Sequence, residues 1–143
     1  MSDHEDVGAF HERHGLPTSG GQAEHRMLGP EELAFRVKFL REELQEYEEA
    51  CAAGDPAGAF DALLDLCYVA HGTAHLHGFP WARGWDLVQA ANMAKVRCGI
   101  DHAWADGCCG EPEWRHSKRG SALDVVKPPS WRPPDVAALL KRR

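Results

Sequence analysis

Apolar residues recur at alternating steps of four and three through Leu33, Val37, Leu40, Leu44, Tyr47 and Cys51. That spacing keeps them on one face of an α-helix. Pro30 suits the first helical position, where its missing N–H would have no partner anyway, and Glu31 and Glu32 complement the positive helix end. Gly54 supplies the stop. Asp55-Pro56 then restarts a helix, with Asp55 as N-cap. Phe60, Leu63, Leu64, Cys67, Tyr68 and His71 form its apolar side, and Gly78 and Pro80 end it. A connection this short makes the two helices antiparallel. Residues late in the first helix therefore face residues early in the second.

The flanking segments carry weaker signals. Residues 1–29 read as loosely organised, with two helical turns possible over Asp6 to His14 before Pro17 and Gly20-Gly21 break the chain. A third helix is expected from about Trp81 to Arg97, stopped by Gly99. The stretch from Gly99 to Pro133 is rich in glycine, proline and charge and has no clear period. Its length points to function or mobility. Pro134 and Asp135 open a short last helix. With no alternating strand pattern and no repeat, the expected class is all-α: an antiparallel helical bundle with a long C-terminal loop and a short final helix, its catalytic domain spanning 30–143.

Charge interrupts this pattern in a particular place. Glu43 and Glu46 sit on adjacent turns of one helix face, with Glu42 one turn before Glu46. This face flanks the apolar stripe, and Phe35 and Phe39 continue it towards the N-terminus. Asp61 and Asp65, four apart, share a face of the second helix and break an otherwise apolar run with no lysine or arginine at helical spacing beside them. The hairpin sets them opposite Glu43 and Glu46. Crowded carboxylates raise one another's pKa, and a cation relieves the repulsion. Magnesium, with manganese as a substitute, is the hard ion that takes a few carboxylates plus substrate phosphate. A glutamate run such as Glu42-Glu43-x-x-Glu46-x-Glu48-Glu49 is ordinarily a solvated face. The two opposing aspartates are what favour a metal centre.

Composition narrows the alternatives. The 143 residues suffice for one domain with its own core, and the formal charge of −6 argues against nucleic-acid binding. No apolar run approaches the roughly 20 residues of a membrane span. The acidic start, Met1-Ser2-Asp3-His4-Glu5-Asp6, does not resemble a signal peptide, so a cytoplasmic location is expected. Five cysteines without a CxxC pair read as free thiols, Cys108-Cys109 included. His71 and His75 stand one turn apart, with His77 near, but zinc requires a third ligand and a suitable shell. No GxxxxGK phosphate loop occurs.

These residues resemble the all-α nucleotide pyrophosphohydrolase superfamily, which includes MazG, dimeric dUTPases, dCTP pyrophosphatases and phosphoribosyl-ATP pyrophosphohydrolase. Its signature is EExxE on one helix and ExxD on the next. Glu42-Glu43-Leu44-Gln45-Glu46 completes the first half. Asp65 matches the final Asp of the second, while Ala62 stands where Glu is expected and Asp61 lies one position earlier. Asp61-Ala-Leu-Leu-Asp65-Leu-Cys-Tyr68-Val69, Gly72-Thr73, Gly78-x-Pro80, Asn92-Met93-x-Lys95 and Lys127-Pro128 are similar to the phage/Deinococcus-type MazG-like branch. The resemblance implies that Glu43, Glu46, Asp61 and Asp65 hold metal and that Glu42 binds a second metal or orients the attacking water. Asn92, Lys95, Tyr68 and Lys127 would contact the nucleotide. It further implies hydrolysis of the α–β bond of a (deoxy)nucleoside triphosphate by a homodimer or homotetramer. The expected substrate is dUTP or dCTP, in a house-cleaning role.

The chemistry accords with this. Lys95 is the first candidate to steady a pyrophosphate leaving group, with Lys127, Arg119 and Lys118 next. Two alternatives stay open: the phosphoribosyl-ATP reaction with the same metal logic, and a non-catalytic helical oligomerisation or regulatory module.

Overall fold

The computed structural model describes residues 2–17, 25–97, 125–128 and 130–141. Five helices appear among them: α1 (Asp3–Arg13), α2 (Pro30–Ala53), α3 (Pro56–His77), α4 (Trp81–Met93) and α5 (Val136–Leu139). Val96–Arg97 (β1) and Val125–Val126 (β2) make a minimal antiparallel pair, with Val96 opposite Val126. Within an all-α chain this pair is a clasp between connecting segments. The chain divides into two compact units, Met1–Ala82 with Leu140–Arg143, and Arg83–Leu139. Most of the long segment expected from Gly99 to Pro133 lies outside the described residues, as do Cys98 and Cys108-Cys109.

The hairpin follows its punctuation. Gly54 takes the left-handed conformation at φ 68°, and its N–H donates to the carbonyl of Cys51. A residue with a Cβ would be strained there. Asp55 Oδ1 accepts from the N–H groups of Ala57 and Gly58 at 3.1 and 3.0 Å, satisfying two of the unpaired donors of α3. At the far end Gly78, φ 70°, closes α3 in the same way.

Residues 3–13 are more ordered than their sequence suggests. Ser2 N–H donates to Glu5 at 2.7 Å, capping α1. The helix then lies against α3 through Val7, Gly8 and His11, all buried. A Cβ on Gly8 would touch the His75 ring at 3.4 Å, so glycine lets the two helices approach. The segment after it is tied to the end of α3: Arg26 N–H donates to the His77 carbonyl at 2.8 Å, and His77 Nδ1 donates to the Arg26 carbonyl at 2.7 Å. Leu28 is buried beside them.

The inward face of α2 differs from the expected stripe. Its buried residues are Arg36 and Glu43, with Phe39, Leu40, Tyr47 and Ala50 half-buried. Leu33, Val37 and Leu44 are exposed in this single chain. The helix is thus turned by about one residue from the position that would bury its most apolar line, since neighbours along a helix differ by roughly 100°. On α3, likewise, Ala62, Val69, Gly72 and Leu76 face inward while Phe60, Leu63 and Leu64 remain open.

Candidate active site

The turn of α2 that exposes Leu33 and Leu44 carries Glu43 inward. Glu43 is 7% exposed, and its Oε2 is buried without a hydrogen-bond partner. Burial is the main cause that pushes its carboxyl above the usual range, followed by the like charges of Glu46, Asp65, Glu42 and Asp61. The acids predicted from sequence therefore converge electrostatically on one buried carboxylate.

Their individual placements differ. Asp65 lines the same cavity as Glu43 but is itself exposed. Glu46 and Asp61 are exposed. Glu42 is exposed and pairs with Lys38 at 3.5 Å, one turn away. Ala62, in the position of the expected glutamate, is buried at 3%; Asp61 beside it points to a different side of α3, about 100° round the helix. Among the described residues, no three His, Cys, Asp or Glu side chains are placed to hold a metal ion. The donor chemistry at Glu43 nonetheless fits a hard cation: an orphaned carboxylate oxygen, neighbours of the same charge, and no buried cation paired with it.

The cavity has a volume of about 420 Å³ and is mostly aromatic and aliphatic away from Glu43 and Asp65. Phe10, Phe35, Phe39, Tyr68, Val69 and Leu76 line it. Phe10 meets Tyr68 edge-on with ring centres 5.6 Å apart. Tyr68, expected at the nucleotide, is therefore at the wall of the cavity that holds Glu43.

Two polar residues of this wall escape a motif search. Arg36 is 8% exposed. Its Nε donates to Thr73 Oγ1 at 3.0 Å and its Nη2 to the Val69 carbonyl at 2.7 Å, with the guanidinium 5.6 Å from the Phe39 ring centre. Burial draws its pKa below the usual arginine range. His11, 4% exposed, donates through Nδ1 to the Pro17 carbonyl at 3.0 Å. Because a carbonyl only accepts, the neutral ring leaves Nε2 as an acceptor. A usable signal for Arg36 was its distance of seven residues from Glu43, which is two helical turns on one face. His11 had no such marker, because its helix was short and weakly patterned.

The remaining expected contacts lie in the second unit, where the structure brings them together. Lys95 Nζ donates to Asn92 Oδ1 at 2.8 Å. Lys127 and Lys95 both stand over the Trp131 ring, 4.4 and 5.9 Å from its centre. Trp131 Nε1 donates to the Ala91 carbonyl at 2.6 Å, fixing the ring under both cations. Lys118 and Arg119 lie outside the described residues.

The sequence model of the phosphoribosyl-ATP pyrophosphohydrolase family matches residues 10–92. That span runs from the cavity wall of α1, through Glu43 and Asp65, to Asn92. Among curated proteins, none matches the chain. No helix among the described residues is long and apolar enough to cross a membrane.

Proposed function

The chain belongs to the phosphoribosyl-ATP pyrophosphohydrolase family, within the MazG-like superfamily, and from that premise we propose that it is a magnesium-dependent hydrolase of the α–β bond of a (deoxy)nucleoside triphosphate. The observation that carries the reading is Glu43: a buried carboxylate with an unpartnered oxygen, ringed by four further acids. Magnesium, when bound, would neutralise the phosphates and make a water more nucleophilic. Glu43 and Asp65 would hold it from the cavity wall. Glu46 and Asp61, exposed and able to change rotamer, would complete the set. Glu42 would orient the attacking water and accept its proton. The aromatic end of the cavity would take the base. Asn92, Lys95 and Lys127 would steady the leaving pyrophosphate. A second copy of the chain would cover the exposed line of Leu33, Val37, Leu44, Leu63 and Leu64, in a homodimer or homotetramer.

Our preferred substrates are dUTP and dCTP. The family's description favours a second reading, phosphoribosyl-ATP, and the same carboxylates would serve it. Pyrophosphate release should be measured from dUTP, dCTP, the other triphosphates and phosphoribosyl-ATP, with and without magnesium. Metal-dependent release from a deoxypyrimidine triphosphate is expected. Exclusive release from phosphoribosyl-ATP would replace the first reading with the second. If no nucleotide is turned over, the chain is a non-catalytic module of this fold.

A further inference from the structure

The buried arginine at the aromatic end of the cavity has no role in the proposal above, and its surroundings are specific. Arg36 forms no ion pair among the described residues, although Glu32 and Glu43 line the same cavity. Glu32 is taken by Arg26, in a paired contact at 2.8 Å. A buried guanidinium without a carboxylate is costly unless its donors are used. Nε and Nη2 are used; Nη1 makes no hydrogen bond among the described residues. The two bonds that exist also hold the guanidinium plane in place, since Thr73 Oγ1 itself donates to the Val69 carbonyl at 2.7 Å.

His11 lies beside it. A Cβ built on Gly72 would stand 2.8 Å from Arg36 Nη2 and 3.0 Å from His11 Nε2. The bare glycine backbone thus lets a donor and an acceptor sit next to each other on the cavity wall. Their distance from the acids is also defined. Arg36 is seven residues before Glu43, and Gly72 seven after Asp65. On each helix that is about 10 Å of rise, so the antiparallel pair sets both groups the same distance from the carboxylates. A nucleotide with its α-phosphate at the acids places the far edge of a pyrimidine at this level.

We propose that Arg36, with His11 beside it, reads the base edge and selects a base presenting a carbonyl oxygen next to a ring N–H. Among pyrimidines, that is the edge of uracil or thymine. Arginine has donors only, and His11, whose Nδ1 donates to the Pro17 carbonyl, offers Nε2 as its acceptor. Uracil offers the matching acceptor and donor. Cytosine and adenine offer an amino group and a bare ring nitrogen, which sets donor against donor and lone pair against lone pair. The inference rests on the nucleotide reading of the cavity, and it separates dUTP from dCTP.

The test is calorimetric binding of non-hydrolysable α,β-imido triphosphates to the full chain with magnesium. The ligands are the deoxyuridine form, the deoxycytidine form, and a 2-pyrimidinone form, which lacks the 4-oxygen and with it the N3 proton. The native chain should bind the uracil form roughly ten- to a hundredfold more tightly than the 2-pyrimidinone form, the range of a hydrogen bond to a charged group. Arg36→Met should cut that ratio severalfold, leaving the share that His11 contributes; the Val69 carbonyl keeps its bond from Thr73, so the variant leaves no orphan there. Equal binding of the two forms by the native chain would overturn the proposal without reference to any variant. So would an Arg36→Met chain that weakens both forms equally, which marks a mere strut. Turnover is measured in parallel. Base discrimination without hydrolysis would leave this inference standing and remove the pyrophosphohydrolase reading; no binding of any form would remove both.

Discussion

Helix α3 has an acidic neighbourhood towards α2 and a histidine seam towards α1, and both contain buried polar atoms without partners. On the acidic side the orphan is Glu43 Oε2. On the other side the orphans are His4 Nδ1, His71 Nδ1 and His75 Nε2. The rings of the seam are packed together: His4 lies 5.6 Å from His71 and 6.1 Å from His75, His11 lies 5.2 Å from His75, and Trp81 stacks on His4 at 5.8 Å. The difference lies in how each cluster disposes of its charge. An imidazole loses its charge close to neutral pH simply by releasing a proton. Burial first, and then their neighbours, push His4 and His75 below the ordinary histidine value, so these two rings favour the neutral form. A carboxylate near neutrality has no such exit. Even pushed upward, Glu43 among four acids gains from a cation. One cluster can shed its charge without a ligand; the other cannot.

The strongest way to break this comparison is to neutralise the incomplete side. Glu43→Gln keeps the shape of the side chain and removes its charge. Pyrophosphate release should fall by more than about 100-fold, because even outer partners of metal ligands cost roughly 10–100-fold. The melting temperature should hold or rise, because a repulsive buried charge has gone. A variant that melts much earlier with intact specific activity would make Glu43 a structural residue instead.

Magnesium itself should distinguish the two sides next. A ligand that binds only the folded chain stabilises it by about 2.7 kcal/mol at a hundredfold excess over its Kd. Thermal melts of the native chain should shift upward with magnesium, and those of Glu43→Gln should shift less. An equal shift in both would place the ion away from this carboxylate.

The sequence made the acids visible more readily than their setting. Pro30, Gly54, Asp55-Pro56 and Gly78 bounded α2 and α3 because caps and breakers act locally, through φ and through unpaired N–H groups. The EExxE and Asp61/Asp65 spacings put acids on neighbouring turns of α2 and of α3 for the same reason, and of these only Glu43 is buried. The apolar stripe misled about which way α2 faces. Periodicity reports that Leu33, Val37 and Leu44 share a side; it does not say whether they meet α3 or another surface, and here the polar Arg36 and Glu43 turn inward instead. Helix α1 was underestimated because its stability comes from Val7 and Gly8 docking on α3, a contact between distant parts of the chain. The expected third helix ended at Met93 and not Arg97 because β-pairing at Val96 and Arg97 replaces helical hydrogen bonds there.

Acid should move the two sides in opposite directions, and this is the smallest of the expected effects. For the seam, the unfolded histidines titrate near 6.5 while folded His4 and His75 titrate lower. As pH falls below 6.5 the unfolded chain takes up protons that the folded chain refuses, so stability is lost down to the folded values. For Glu43 the sign reverses. Its folded value lies above the ordinary 4.5, so the folded chain takes up a proton first as pH falls through that raised value, and stability is gained until the unfolded glutamate titrates as well. Glu5 and Glu12 oppose the shifts at His4 and His75, respectively, which moderates the first effect. Melting temperature measured against pH in the native chain superposes the two. His4→Phe, which keeps a ring against Trp81, should flatten the decline below pH 6.5; Glu43→Gln should steepen it by removing the opposing gain. If both variants change the profile in the same direction, the two sides of α3 do not store charge in the different ways described here.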